Sequence, residues 1–352
     1  MISIVQEPQA INFSKSIPDL LLTSDKDSVT MEIYDLELII SEKYDIPPAN
    51  IPLRIKLKGL FEHFLLNDRP DYTNDIHIHN DASKSFTLKL IDDNSAIELS
   101  FWVINGYLTN QTNQIDFFLS NYWMNLSASN SEVYFHQPLY LTAFPKETLN
   151  IKVKAKMLDL TEKIIDLGSM QPYEVQSVNI NPGRLIQLLE GPYEYFDVYA
   201  ENIDNELTLG YKRFYFVKNY KYLSDVFLYR NRLGGWDTLV LNGEKTLKHN
   251  NAPYTAIVQD IEFAYHHSNT LEFEKNTGFI YDLEQYRQYI DFLYSEQKYF
   301  LHEGNLTQIV TSENKTESIK GLLTSYKFNF RLENTVHVYP EIGQTPYNIL
   351  IS

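Results

Sequence analysis

The chain predicts a mainly β protein, made of β-sandwich or barrel-like domains with a C-terminal α+β part. Three observations carry that expectation. The 352 residues include 26 tyrosines and 20 phenylalanines, side chains that favour a pleated, half-buried surface. Short runs with period-two alternation recur between clusters of turn formers at intervals of roughly ten residues, as they do in sandwiches and barrels. No long helical pattern alternates regularly with strands, which disfavours a doubly wound sheet. The apolar content, 43% against 22% charged, is that of a globular chain, and this length divides into about two or three domains. We expect them at 1–168, 172–250 and 251–352.

In the first region, Val29–Ile33 and Leu36–Ile40 read as strands separated by Tyr34-Asp35, and Pro47, Pro48 and Pro52 make a rigid connection to Leu53–Leu57. Leu57, Leu60, Phe61, Phe64 and Leu65 then fall on one helical face, predicting a short helix over about 57–66 that ends before Pro70. Ser85–Ile91 and Ala96–Ile104 form a hairpin across Asp92–Ser95. That turn lacks the ligand spacing of a calcium loop, so we read it as a plain turn. Strands follow at Ile115–Ser120, Val133–His136, Tyr140–Phe144, Leu149–Ala155 and Glu162–Leu167, and Gly168–Pro172 reads as the linker closing the region.

The second region opens with Tyr173–Ile180 and a short apolar run, Leu185–Leu189. Its centre is the stretch 207–243, with strands at Leu207–Val217, Val226–Asn231 and Asp237–Leu241. Gly234-Gly235 between the last two predicts a hairpin turn, since glycine supplies positive φ or a bulge without a Cβ penalty. A phosphate cradle is disfavoured, because β-branched and apolar residues follow where such a loop needs a helix. In the third region, Ala256–Ala264 and Thr270–Phe273 are strand-like. A helix at about 282–296 carries Leu283, Tyr286, Ile290, Leu293 and Tyr294 on one face. A hairpin, 298–302 with 306–311, precedes a polar loop at 312–318 and a long strand, Leu322–Leu332, with Tyr326, Phe328, Phe330 and Leu332 on one face. An extended tail follows Pro340.

The composition excludes several classes. A formal net charge of −16 repels phosphate backbones and anionic lipid, and the one basic run, Arg54, Lys56 and Lys58, alternates as a solvated strand face. We therefore expect no nucleic-acid or membrane partner. With no cysteine, disulfides and thiolate chemistry are absent. The residues from Met1 to Glu7 show no signal-peptide pattern, so synthesis in a cytoplasm without a cleaved leader is expected.

For chemistry, the best metal candidates are His77 and His79, which flank Ile78 and share a strand face, with Asp75 and Asp81 in phase. An exposed polar strand is the preferred reading there, so neither metal nor cofactor is expected. His266-His267 point to opposite faces if extended. No nucleophile elbow or penicillin-binding signature is present, and no catalytic residue is assigned.

The segment Phe227–Leu239, with its core Asn231-Arg232-Leu233-Gly234-Gly235-Trp236-Asp237-Thr238, resembles β-rich tail and baseplate-region structural proteins of tailed phages and prophages of Bacteroidetes hosts. Ile17–Asp25, Gln137–Phe144 and Phe292–Glu296 look similar to other parts of the same proteins. The resemblance implies a non-enzymatic virion component of the tail, baseplate, collar or ring, made in the host cytoplasm. It implies other virion proteins as partners, assembly as a cyclic homo-oligomer, and no catalytic residues. We place the neighbour-contacting surface at Gly234, Gly235, Trp236, Arg230 and Arg232. The alternative is a carbohydrate-binding or adhesin-like module, suggested by the tyrosines and by Trp102, Trp123 and Trp236.

Overall fold

The computed structural model describes residues 1–48, 51–71, 73–93, 95–108, 114–127, 130–217, 224–258, 261–280, 283–312 and 324–333. It is mainly β, as the aromatic content and alternation predict. The chain forms two compact units, Met1–Lys218 with Arg230–Thr238, and Asn219–Tyr229 with Leu239–Ser352. These do not follow the three expected domains. The stretch read as a linker begins inside a strand, where Gly168 pairs with Ile151 and Met170, fully buried, pairs with Leu149.

The first unit runs β1 (Ser3–Gln6), β2 (Ile11–Phe13), β3 (Leu20–Thr23), β4 (Ser28–Asp35), β5 (Glu37–Asp45), β6 (Leu53–Ile55), a 3₁₀ turn (Glu62–Phe64), β7 (Ile76–Ile78), β8 (Ser83–Ile91) and β9 (Ala96–Ile104). It continues with α1 (Gln114–Asn121), β10 (Ser131–Val133), β11 (Tyr140–Ala143), β12 (Leu149–Met157), β13 (Glu162–Met170), β14 (Gln176–Asn179), α2 (Pro182–Leu188), β15 (Tyr193–Glu201) and β16 (Leu207–Phe216). Two sheet pairs result. The sheet β2-β9-β8-β4-β5 accompanies β1-β3-β6, and β10-β16-β15-β12-β13 accompanies β11-β14-β7.

Each pair encloses a core, which makes each a small sandwich. Leu20, Leu22 and Ile55 from the smaller sheet pack with Met31, Ile33, Phe86, Leu88 and Phe101 from the larger. In the second pair Leu141, Ala143 and Val178 pack with Ile151, Val153, Phe196, Val198 and Phe214. A further cluster, including Phe13, Ala82, Ile104, Leu119, Met124, Phe144 and Leu233, joins the two cores into one unit.

Two local expectations are corrected here, and one apolar run is assigned. The helix over 57–66 is only a 3₁₀ turn: Gly59 sits at φ +83°, and the amides of Leu60, Phe64 and Leu65 bond three residues back. Leu57, Phe61 and Leu65 are nonetheless buried, so the periodic apolar face belongs to the core without being helical. The strand expected at Ile115–Ser120 is α1, which buries Ile115 and Leu119 four residues apart and leaves Phe117 exposed. Ile115, Phe117 and Leu119 also satisfy period two, so the pattern alone fitted either state. Leu185–Leu189 lies largely in α2, which Pro182 starts at its first turn.

The second unit contains β17 (Asp225–Arg230), β18 (Trp236–Leu241), β19 (Lys245–Val258), β20 (Ile261–Ile280), α3 (Leu283–Tyr294), β21 (Lys298–His302), β22 (Asn305–Thr311) and β23 (Thr324–Leu332), in sheet order β18-β17-β21-β22-β23-β20-β19. Residues 230–238 at the inner ends of β17 and β18 belong to the first unit. Phe227 is the hub of the second core, with ring centroids of Phe292, Phe300, Phe328 and Phe330 at 5.3, 5.2, 5.7 and 5.5 Å. The strand expected across Ala256–Ala264 is two strands of one long ribbon, with the break between them outside the described residues. Helix α3 buries Tyr289 and Phe292, while Leu283 and Tyr294 are exposed. Tyr286, Ile290 and Leu293 of the expected face do pack against the core, so the expectation fails only at the helix ends. The side chains of His266 and His267, the loop 313–318 and the tail after Pro340 lie outside the described residues.

Candidate functional site

The turn singled out in the sequence is a hairpin tip, as its glycines predict. The Asn231 amide donates to the Gly235 carbonyl at 2.8 Å and the Gly234 amide to the Asn231 carbonyl at 3.0 Å. Asn231 spends its whole side chain on this geometry. Its Oδ1 accepts the amides of Leu233 and Gly235, and its Nδ2 donates to the Met124 carbonyl and to Asp237. Gly234 has φ +89°, the left-handed region. Gly235 does not. It is required for a different reason, because a Cβ there would collide with the Met124 carbonyl oxygen.

Asp237 is buried and accepts four donors: the Leu126 amide at 2.7 Å, the Ser127 amide at 3.4 Å, Asn231 Nδ2 at 2.7 Å and Asn125 Nδ2 at 3.1 Å. Asn125 in turn donates to the Trp236 carbonyl and accepts the Thr142 amide. Asn67 donates to the Gly234 carbonyl at 2.6 Å and accepts Trp236 Nε1 at 3.4 Å. Such a fully partnered buried network specifies one arrangement, because any group left without a partner carries its desolvation cost.

These contacts decide the expected neighbour-facing surface. Gly234, Gly235 and Trp236 are buried within the unit, Arg230 is half-buried with Nη2 donating to the Asn105 carbonyl, and Arg232 alone of the five is exposed. The tip is an internal plug. The phosphate-cradle alternative is also answered, since the Gly235 amide is consumed by Asn231 and β18 follows instead of a helix.

The second constellation gathers His77 and His79 with Asp68, not with Asp75 or Asp81. Asp75 pairs with Arg184, and Asp81 with Lys84. Asp68 Oδ2 lies 2.8 Å from His77 Nε2, and Oδ1 lies 3.0 Å from His79 Nδ1. The other His79 nitrogen, Nε2, is 2.8 Å from Ser177 Oγ. Burial pushes the Asp68 carboxyl up, but its hydrogen bonds from His79 and His77 outweigh that and hold it at about 2. Burial holds His79 below the ordinary histidine value, against the pull of Asp68.

Asp68, His79 and Ser177 thus stand in the order carboxylate, imidazole Nδ1, imidazole Nε2, hydroxyl, which is the connectivity of an acyl-transfer triad. Burial removes the chemistry. Ser177 and the His79 side chain are 0% exposed, and Ser177 Oγ already meets Thr142 Oγ1 at 2.8 Å, which accepts the Trp236 amide at 3.2 Å. With ionised Asp68 accepting from Nδ1–H, Nε2 accepts the Ser177 hydroxyl, Ser177 accepts from Thr142, and one unbroken line of donors runs from the hairpin tip to Asp68. Residue spacing gives no sign of this line, because Asp68, Ser177 and Thr142 come from three distant segments.

Elsewhere, a shallow cleft of about 250 Å³ beside Phe135, His136, Asn181 and Arg184 holds no acid–base pair, since Arg184 is engaged by Asp75 and the Asn179 carbonyl. On β15 and β16, Tyr195 pairs with Tyr215 and Tyr199 with Tyr211, at centroid distances of 5.8 and 4.7 Å. Between the two pairs Arg213 makes a two-pronged bond to Asp197, both arms 2.7 Å, and lies 4.2 Å over the Tyr195 ring. Of the tryptophans, Trp236 and Trp123 are buried, and Trp102 is half-buried and stacked on Tyr173 at 5.4 Å.

No family model matches the chain, and no curated protein does. Among solved structures it is similar to titin Ig tandem domains, at 8% identity and a TM-score of 0.23 over 62% of this chain and 97% of that one. It is also similar to the N-terminal four Ig domains of Dscam1 isoform 4.4, at 8% identity and a TM-score of 0.18 over 78% of this chain and 74% of that one. Likenesses at these scores carry no argument, and the description of the fold rests on its own sheets and cores.

Proposed function

We propose that the chain is a non-enzymatic structural component of a phage virion, in the tail, baseplate, collar or ring region, acting by protein–protein assembly as a cyclic oligomer. One observation supports this most directly. Of the residues that carry the resemblance, Asn231, Trp236, Asp237 and Thr238 are all committed by hydrogen bonds to holding a buried tip in place. A motif used in this way belongs to a scaffold. The triad-like line through Ser177 supports the same reading, because its hydroxyl is sealed from any substrate.

A second reading, carbohydrate binding, is favoured by the tyrosine face of β15 and β16 rather than by the tryptophans. Tyr211 and Tyr215 are 53% and 38% exposed beside the Arg213–Asp197 fork, an arrangement that offers ring faces and fixed hydrogen-bonding groups to a sugar. Purified particles should contain several copies of the chain by quantitative mass spectrometry, and the isolated protein should scatter light as a closed oligomer. Absence from particles, together with a glycan-array signal lost in Tyr211→Ala, would replace assembly with sugar binding.

A further inference from the structure

We propose that Asp68, His77 and His79 form a binding site for one divalent transition cation of the zinc type, which ties Asp68 to the two histidines at the end of strand β7. The ligand atoms are already gathered, with one carboxylate oxygen and one nitrogen from each ring all within 4.8 Å of one another. His77 and His79 are two residues apart, so the pleat aims both rings to one side. Their centroids are 4.7 Å apart. The two Asp68 oxygens address one ring each, at 2.8 and 3.0 Å. A cation seated among the three would replace two hydrogen bonds by metal–ligand bonds of about 2.0–2.2 Å with a small opening of the cluster.

The chemistry of the donors selects the ion. Two imidazole nitrogens and a carboxylate suit zinc and its neighbours, whereas calcium and magnesium take oxygen ligands. The surroundings orient His79 as a metal ligand is normally oriented. Its far nitrogen, Nε2, faces Ser177 Oγ at 2.8 Å, and that hydroxyl accepts an N–H as readily as it donates to a lone pair. When the cation takes Nδ1, the proton moves to Nε2 and Ser177 accepts it, so the ring keeps its position. His77 is held less firmly. Among the described residues its Nδ1 is reached by the Asp71 amide, at 3.4 Å, a contact long enough to yield when Nε2 binds metal. Burial differs in a useful way: the His79 side chain is 0% exposed, His77 14% and Asp68 58%, so one ligand is anchored in the core and the opposite side is open to solvent water.

The test uses the tag-free full chain, stripped with chelator and titrated with zinc chloride by calorimetry, with cobalt(II) absorption as a second readout. We expect one zinc bound per chain and a raised melting temperature. His77→Ala should weaken binding by about tenfold or more; because that side chain is only 14% exposed, His77→Gln, which keeps most of its bulk, should weaken binding alike while holding the metal-free melting curve closer to the parent's. Asp68→Asn should weaken it similarly. Zinc binding that survives these substitutions would put the cation on other histidines, and no saturable binding to the parent chain would mean that the three groups are partners in hydrogen bonding alone. Either result overturns the proposal.

Discussion

At the scale of single residues, the hairpin tip shows two adjacent glycines kept for different reasons. Gly234 is held by its left-handed backbone, and Gly235 by the close approach of the Met124 carbonyl. Since that oxygen belongs to backbone whose own amide is bonded to the Thr142 carbonyl at 2.8 Å, it cannot swing aside. Gly235→Val should therefore destabilise the fold by about 2–4 kcal/mol, lowering the melting temperature by roughly 5–15 °C. An unchanged transition would show that the approach is looser than described. The glycine pair was legible in the sequence as a turn, and the turn is there. What was not legible is which way the turn faces. An exposed and a buried tip share the same glycines, and the decision lies with Asn67 and Asn125, polar residues 167 and 111 positions away whose Nδ2 groups donate to the carbonyls of Gly234 and Trp236. Likewise His77 and His79 are visible as a pair, but the carboxylates in phase with them along the strand are Asp75 and Asp81, which pair with Arg184 and Lys84 instead. Asp68 reaches them from the preceding connection.

Among elements, the strands with strict alternation, β8, β9, β12, β16 and β23, stand where the pattern puts them, because one buried and one exposed face is what period two encodes. The misread elements are those in which a short apolar run fits two periods, as in α1, or in which a single glycine overrides a good helical face, as at Gly59. The long ribbon β19–β20 is legible only in part, at Ala256–Ala264 and Thr270–Phe273, because the rest of it is largely polar and polar strands carry no alternation signal. Strand β21 yields a prediction at this scale. Lys298 starts it as a buried cation whose Nζ donates to the Leu293 carbonyl at 2.8 Å and to Thr311 Oγ1 at 2.7 Å, with no carboxylate partner in those bonds. Burial brings it down from 10.5 to about 8. The unfolded chain therefore holds more protons than the folded one between those two values. In that window stability rises with pH, and below it the charged lysine costs the fold on the order of 1–3 kcal/mol. Lys298→Met abolishes this titration and leaves the pH-independent loss of two hydrogen bonds. The melting temperature of the parent relative to Lys298→Met should climb from pH 8 to pH 10. A flat difference would mean that the lysine is as well solvated folded as unfolded.

For the whole molecule, the division into units has a consequence for how the chain can be cut. Residues 230–238 are part of the first unit but are delivered by strands whose outer parts belong to the second. A fragment ending at Lys218 would therefore contain the first unit's sheets and lack its plug. It would strip partners from the amides of Leu126 and Ser127, the side chains of Asn67 and Asn125, and the carbonyls of Met124 and Asn105. It would also uncover Met124, Phe144 and the other residues that pack with Leu233. Even with water replacing part of what is lost, several buried groups at about 1–3 kcal/mol each amount to a large share of the 5–15 kcal/mol that holds a typical domain folded. The fragment 1–218 should thus melt at least about 10 °C below the corresponding transition of the full chain, and a synthetic peptide spanning 228–240 should recover part of the loss when added in excess. Asp237→Ala in that peptide should abolish the recovery, because Asp237 carries three of the bonds restored to the fragment. If 1–218 melts like the full chain, the tip is an accessory to a unit that folds without it, and the residues that carry the resemblance would then need another purpose.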